Sequence, residues 1–237
     1  MEQKVSSYRE LPELFTMSSL SGALHINRRR LSRMLESWVE EGVVVRLRKG
    51  TYAKSDANQF RIAAGLYNGY IGFSSALYLY GLKTELERIV YVCVSTREKT
   101  CYFKGVKLQP IEIQKQLYGT ELHDGTLVST YPKTIFDMFL KPKHASMFDV
   151  YRAINTRPFD NREWMELIYY AKDSNLSTMR RIGFALDGIA PAWFTAELLS
   201  LAKGSGKSFF GSKKTANFNS KWRIYDNIGV RRWVNAI

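Results

Sequence analysis

Four arginines fall within one short stretch of the chain, and their spacing gives the first chemical signal in the sequence. Asn27 is followed directly by Arg28, Arg29 and Arg30, and Arg33 comes close to one helical turn later. Guanidinium groups form paired hydrogen bonds with phosphate oxygens and with the major-groove edge of guanine. This cluster predicts an anion-binding surface, with nucleic acid as the first candidate.

A helix is needed to present these arginines together. Four apolar residues recur at the helical spacing i, i+3, i+4 and i+7: Leu31, Met34, Leu35 and Trp38. This spacing predicts one buried face, with Asn27 as the N-cap and Gly42 as the stop. The arginines crowd the positive end of the helix dipole, and that local cost favours a functional explanation. The alternative is a solvated basic face without a function.

The segments on either side of this helix predict a winged helix-turn-helix, a module that reads DNA. Residues 18–24 are expected to form a short first helix, and residues 25–27 have the length of the turn. After Gly42 the apolar residues alternate as in a β-hairpin, with its turn at Lys49-Gly50. The predicted DNA-binding residues are Asn27, Arg28, Arg29, Arg30, Arg33, Arg46, Arg48, Lys49 and Lys54.

Composition limits the classes of protein that fit. The chain has 237 residues, of which 45% are hydrophobic, enough for a sizeable core. A net charge of +13 favours an anionic partner, nucleic acid first and an anionic membrane surface second. The sequence predicts no signal peptide and no membrane span, and we expect a cytoplasmic protein. Cys93 and Cys101 are expected to be buried free thiols, although a bridge between them stays open.

A short run of mostly polar residues follows Lys54. It predicts a boundary between a winged helix-turn-helix domain over residues 1–54 and an α+β domain over residues 55–237. The first domain includes a predicted helix over residues 1–15. The second is predicted in three parts: strand-rich 55–140, helical 141–203 and a basic tail 204–237. The predicted fold class is α+β: an N-terminal winged helix-turn-helix, a mixed sheet domain and a C-terminal helical section.

The tail combines cations with aromatic residues, which is typical of nucleic-acid-binding surfaces. Residues 221–225 also alternate as a half-buried strand does, so a terminal hairpin with a solvated cationic face is an equal alternative. The possible secondary nucleic-acid or partner surface consists of Lys207, Lys213, Lys214, Lys221 and Arg223.

Motifs for catalysis are missing from the sequence. Residues 204–208 resemble the end of a phosphate-binding loop, but Leu201 stands where that loop needs its first glycine. The histidines and cysteines lack metal-ligand spacing. A nuclease-like cluster stays a third hypothesis against ordinary surface acids, and its members would be Glu98, Glu112, Glu121, Asp124 and Asp137. We predict no catalytic residues, no metal, no cofactor and no enzymatic activity.

Four segments resemble, in order, the AbiEi antitoxin family of abortive-infection toxin–antitoxin operons. They are VVVRLRKGTYAK, IGFSSALYLYGL with the following strand IVYVCVS, LVSTYPKTIFDMFLKP, and KWRIYDN near the C-terminus. The very basic tail departs from typical members of that family.

The resemblance implies an N-terminal domain that binds and represses its own operon promoter. It also implies a C-terminal domain that neutralises a cognate nucleotidyltransferase-like toxin, without catalysis in the antitoxin itself. The runner-up is a winged-helix transcription regulator whose second domain senses a ligand or forms a dimer, with no toxin partner. Expected partners are double-stranded promoter DNA, the toxin and a second copy as a homodimer, and no membrane.

Overall fold

The computed structural model describes residues 10–85, 87–114, 116–212 and 217–233. The chain is of the α+β class and divides into two compact units. Their residues are Met1–Ile71, Glu87–Tyr118 and Leu122–Val128 for the first unit, and Gly72–Leu86, Gly119–Glu121 and Ser129–Ile237 for the second.

The first unit begins with a small sheet and two helices. Their bounds are β1 (Leu14–Thr16), α1 (Met17–Leu24), α2 (Arg28–Glu40), β2 (Val44–Arg48) and β3 (Thr51–Lys54). The sheet has the order β1-β3-β2, and both neighbours of β3 run antiparallel to it. The two helices predicted before and after residues 25–27 are confirmed as α1 and α2. That these elements form a winged helix-turn-helix stays a prediction.

The predicted helix over residues 1–15 is wrong where the structure describes it. Leu14–Thr16 form β1, because their backbone groups pair with Thr51, Tyr52 and Ala53 of β3. Phe15 is buried there and stacks on Tyr52, with ring centroids 6.0 Å apart. Residues 1–9 of that prediction lie outside the described part of the chain.

An apolar core joins the two helices to this sheet. Its buried members are Leu11, Phe15, Leu20, Leu31, Leu35, Val44 and Tyr52. Leu31 and Leu35 belong to the predicted apolar stripe of α2, while Met34 and Trp38 are half-buried at its edge. The stripe therefore fixes which face of α2 points to solvent.

The rest of the first unit is built around a larger sheet. Its elements are α3 (Gln59–Tyr67), β4 (Tyr70–Ile71), β5 (Ile89–Val94), β6 (Cys101–Phe103), β7 (Val106–Glu112), β8 (Thr120–His123) and β9 (Thr126–Ser129). The strand order is β6-β7-β5-β4-β9-β8, and the ends of β8 and β9 at residues 120–121 and 129 belong to the second unit. Cys93 and Cys101 are buried thiols that are not joined in a disulfide bond, as predicted.

The first unit does not end at Lys54. Arg61 of α3 forms an ion pair with Glu13 at 2.8 Å, and the carbonyl of Leu66 accepts a hydrogen bond from Arg48 at 3.3 Å. These contacts tie α3 to the N-terminal strands. A separate domain over residues 1–54 stays a prediction.

The second unit contains most of the helices and a small C-terminal sheet. Its elements are α4 (Phe73–Leu79), α5 (Tyr131–Leu140), α6 (Met147–Thr156), α7 (Asn161–Lys172), α8 (Leu176–Leu186), α9 (Ala192–Leu201), β10 (Ser208–Phe210), β11 (Asn217–Asn219) and β12 (Ile224–Asp226). Helix α5 is buried over nearly its whole length, including Lys133 and Asp137. Across the described residues, none of the helices is long and apolar enough to cross a membrane.

Candidate nucleic-acid interface

Helix α2 starts where the sequence predicts, and its cap fixes the direction of the first turn. The Asn27 side-chain oxygen accepts a hydrogen bond from the Arg29 backbone N–H at 2.8 Å. Arg29 and Arg33 are four residues apart and therefore lie above one another on the face opposite Leu31. Arg28, Arg30 and the other two arginines are all exposed.

Charge is divided along α2. The arginines occupy its first half, while the exposed carboxylates Glu36 and Glu40 occupy its second half. This order opposes the helix dipole at both ends, with each exposed charge costing ~0.3–1 kcal/mol. An anion bound near the first turn would remove the cost at that end.

Strand β2 carries a β-bulge that turns two of its arginines to opposite faces. Arg46 lies opposite Tyr52, whereas Arg48 lies opposite Thr51, because the register shifts between them. Adjacent residues of a strand face opposite sides, so Arg46 shares a face with Tyr52 and Arg48 does not.

Arg48 makes two contacts within the first unit. Besides its bond to the Leu66 carbonyl, its guanidinium lies 3.9 Å from the Glu98 carboxylate. Lys54 is also drawn in, since its side chain is 14% exposed and its ammonium lies 4.0 Å from Asp56. Each of these two predicted DNA-binding cations therefore has an acidic neighbour, and the Arg48 side chain is 48% exposed.

Arg46 and Lys49 border an open groove beside α2, with a volume of about 500 Å³. Leu35 and Tyr52 contribute apolar surface, and Glu36 and Glu40 line the helix side. The groove itself therefore has mixed charge. Six exposed cations, four in the first half of α2 and two in the hairpin, are together called the basic face: Arg28, Arg29, Arg30, Arg33, Arg46 and Lys49.

The cations predicted in the tail have different surroundings. Lys221 forms an ion pair with Asp187 at 2.8 Å, and the indole N–H of Trp222 donates to the same carboxylate at 3.1 Å. Burial alone would raise the pKa of Asp187, but these two hydrogen bonds and the charges of Lys221 and Arg231 together hold the pKa below its usual range. Lys221 therefore has a structural role.

Lys207 and Arg223 are exposed beside the C-terminal sheet, whereas Lys213 and Lys214 lie outside the described residues. Trp222 is buried against Gly183, where a Cβ atom would come within 2.0 Å of its ring. The tail thus combines a packed tryptophan with exposed cations.

Residues 204–208 do not form a phosphate site. The carbonyls of Gly204 and Gly206 accept hydrogen bonds from the buried Arg180 guanidinium at 2.8 and 2.7 Å. Carbonyl oxygens that surround a cation would repel a phosphate. This segment instead satisfies a buried arginine that the sequence analysis did not single out.

The acids considered for a nuclease are dispersed. Glu98 faces Arg48, Glu121 accepts a hydrogen bond from Tyr80 at 2.6 Å, and Asp137 is buried against Lys133. Within the described ranges, no group of three or more His, Cys, Asp or Glu side chains is placed to hold a metal ion.

Sequence reasoning missed a cavity in the second unit. Its volume is about 670 Å³, and its lining includes the cations Lys141, Lys143 and Arg181 together with His144. Phe209 of β10 and Ile228 add apolar surface. These residues come from distant parts of the sequence, so no local spacing marks them.

Comparison with protein-family models gave no match, and comparison with curated proteins gave none. Among solved structures, the chain is similar to the crystal structure of the RV2827C protein from Mycobacterium tuberculosis, with a TM-score of 0.65 and 11% sequence identity. The similarity covers 96% of this chain and 90% of that chain. It shows a shared fold over nearly the whole length.

Proposed function

We propose that the protein is a DNA-binding antitoxin that represses its own operon through a winged helix and neutralises a cognate nucleotidyltransferase-like toxin. The basic face is the observation that carries the DNA-binding part. It consists of exposed cations from two segments separated in the sequence, the first half of α2 and the neighbouring hairpin. The hairpin cations Arg46 and Lys49 border a groove whose other wall is the second half of α2.

The order of elements supports this assignment. Strand β1, helices α1 and α2, and the hairpin β2–β3 follow one another as in a winged helix-turn-helix, with α2 in the position of the recognition helix. In such modules the first turns of the recognition helix contact base edges, and the hairpin contacts the sugar–phosphate backbone. Arg29 and Arg33 are the proposed base-reading residues, and Arg46 and Lys49 the proposed backbone contacts.

The charge division of α2 also gives an orientation. Glu36 and Glu40 would be repelled by phosphates, so the arginines of the first half would approach the DNA most closely. Arg46 and Lys49 border the same groove as these two acids and would offset part of the repulsion. The helix would therefore enter the major groove by its N-terminal half. Arg48 takes no part in this proposal, because it faces Glu98 and Leu66.

Toxin neutralisation rests on the resemblance to AbiEi antitoxins alone. The resembling segment LVSTYPKTIFDMFLKP includes β9 and α5, and its polar residues Lys133, Thr134 and Asp137 are buried. These residues hold the fold together. They identify no toxin-contacting surface, and co-expression is therefore the informative experiment.

Co-expression with the adjacent gene product is expected to restore the growth of cells that this product inhibits. The double variant Arg29→Ala/Arg33→Ala should rescue growth equally well, because it leaves the second unit unchanged. Colony counts with both genes under separate inducible promoters measure this. Growth inhibition that the wild-type protein fails to relieve would contradict the antitoxin assignment and leave the DNA-binding part intact.

The alternative of a ligand-sensing winged-helix regulator is favoured by one observation, the cavity of about 670 Å³ in the second unit. Its volume is in the range of small-molecule sites. A regulator of this kind would release promoter DNA when an anionic small molecule binds. Two results together would exclude this alternative: the protein rescues growth from the toxin, and anionic small molecules leave its affinity for the promoter unchanged.

A further inference from the structure

The C-terminal sheet carries a row of three aromatic rings. Tyr225 of the central strand β12 lies directly opposite Phe209 of β10 on one side and Phe218 of β11 on the other. Residues directly opposite one another project from the same face of a sheet. The Phe209 and Tyr225 rings are stacked with centroids 5.4 Å apart, and the Phe218 ring lies 4.8 Å from that of Tyr225.

These rings are not needed to fill the core. The opposite face of the same sheet supplies the buried residues Ser208, Phe210 and Ile224. On the aromatic face Phe218 is 44% exposed, and Phe209 and Tyr225 are half-buried. The row therefore presents apolar ring surface to solvent on the face opposite these buried residues.

Cations accompany the row. The Lys207 ammonium donates a hydrogen bond to the Tyr225 hydroxyl at 3.1 Å and lies 5.4 Å from the ring centroids of Tyr225 and Phe218. Arg223 is exposed in the turn directly before β12, and its guanidinium donates a hydrogen bond to the Gly206 carbonyl at 3.2 Å. Phe209 also lines the cavity that contains Lys141 and Lys143.

We propose that this aromatic face binds single-stranded RNA. Unpaired bases would stack on Phe218 and Tyr225, and Lys207 and Arg223 would lie near the phosphates. Aromatic residues on an open sheet surface bind RNA in this way, typically two or three bases at a time. Stacking tolerates any base because every base has a π face.

Double-stranded DNA cannot use these rings, because its bases are already stacked within the duplex. The inference is thus independent of the proposed function, and it involves another unit of the chain and another nucleic acid. An acidic peptide would satisfy Lys207 and Arg223 but would leave the aromatic row without a partner of matching chemistry.

Fluorescence anisotropy with a labelled, unstructured ten-nucleotide RNA tests the proposal on the full-length protein. Phe218→Ala is expected to weaken binding about 5- to 150-fold, the effect of losing one stacked base. Phe218→Trp should retain the affinity, because it keeps a stacking surface. Tyr169→Ala is the matched control, since Tyr169 is an aromatic residue of the same unit that is 60% exposed and lies outside the row.

Arg29→Ala/Arg33→Ala should leave RNA affinity unchanged, which separates this surface from the basic face. Equal RNA affinity of the wild-type protein and the correctly folded Phe218→Ala variant would overturn the proposal. It would also be overturned by an RNA affinity too weak to measure. A DNA strand of the same sequence that bound more tightly than the RNA would assign the face to single-stranded DNA and overturn the choice of RNA.

Discussion

Asp137→Ala is expected to destabilise the protein by ~3–5 kcal/mol, because it leaves a buried ammonium without its counter-charge. Lys133 and Asp137 form an ion pair within α5, and both side chains are 0% exposed. The Lys133 ammonium also lies 5.2 Å from the ring centroid of Phe136, in surroundings with little water to solvate it. Urea unfolding followed by circular dichroism measures the loss as a lower midpoint.

A matched control comes from an exposed ion pair of the same unit. Lys172 and Glu197 are 3.2 Å apart on the surface, so Glu197→Ala should cost ~1 kcal/mol or less. The double variant Lys133→Met/Asp137→Leu should recover most of the stability lost in Asp137→Ala, because it removes both charges together. If Asp137→Ala unfolded at the same urea concentration as Glu197→Ala, the buried pair would not have the role assigned to it.

Arg29→Ala/Arg33→Ala is expected to lower affinity for the operon promoter by about 30- to 25,000-fold. Each lost bidentate contact to a base costs ~1–3 kcal/mol, and two such contacts are removed. The ratio of the affinities for the promoter and for a shuffled duplex should fall as well, because base contacts carry the sequence information. Anisotropy titrations with both duplexes measure the two effects.

Arg162→Ala/Lys203→Ala provides the control for net charge, since both residues are exposed cations of the second unit. It removes the same number of charges and should leave promoter discrimination unchanged. The double arginine variant should melt at no lower a temperature than the wild-type protein, because both arginines are exposed and Arg29 opposes the helix dipole. A double arginine variant that still distinguished the promoter would exclude α2 as the recognition helix.

Helix α2 could be predicted because its signals are local. The spacing of Leu31 and Leu35 sets the buried face, and Asn27 sets the start, so a window of one helix contains all the information needed. The exposed positions of Arg29 and Arg33 follow from the same spacing. The predicted pair of buried cysteines likewise followed from composition alone.

Strand β1 could not be predicted in the same way. Leu14–Thr16 become a strand because they pair with residues 51–53, and that pairing is invisible in a local window. The apolar spacing before Phe15 resembled a helix instead. Tertiary pairing decided the structure of a segment whose own preference was weak.

The division between Arg46 and Arg48 also depended on tertiary structure. Simple alternation places both arginines on one face of β2, and the bulge reverses the second of them. The aromatic row of Phe209, Tyr225 and Phe218 required the register of three strands, two of them parallel. The spacing of these residues in the sequence predicts neither arrangement.

The salt dependence of promoter binding tests the proposed DNA-binding face most directly. Log affinity falls linearly with log salt concentration, with a slope of about −0.9 for each phosphate neutralised. Arg46→Ala/Lys49→Ala should flatten the slope by about two units, because both cations belong to the basic face. Arg48→Ala should leave it unchanged, because its guanidinium faces Glu98 and the Leu66 carbonyl. Equal slopes for the wild-type protein and the Arg46/Lys49 variant, or a flattened slope for Arg48→Ala, would contradict the proposed DNA-binding surface.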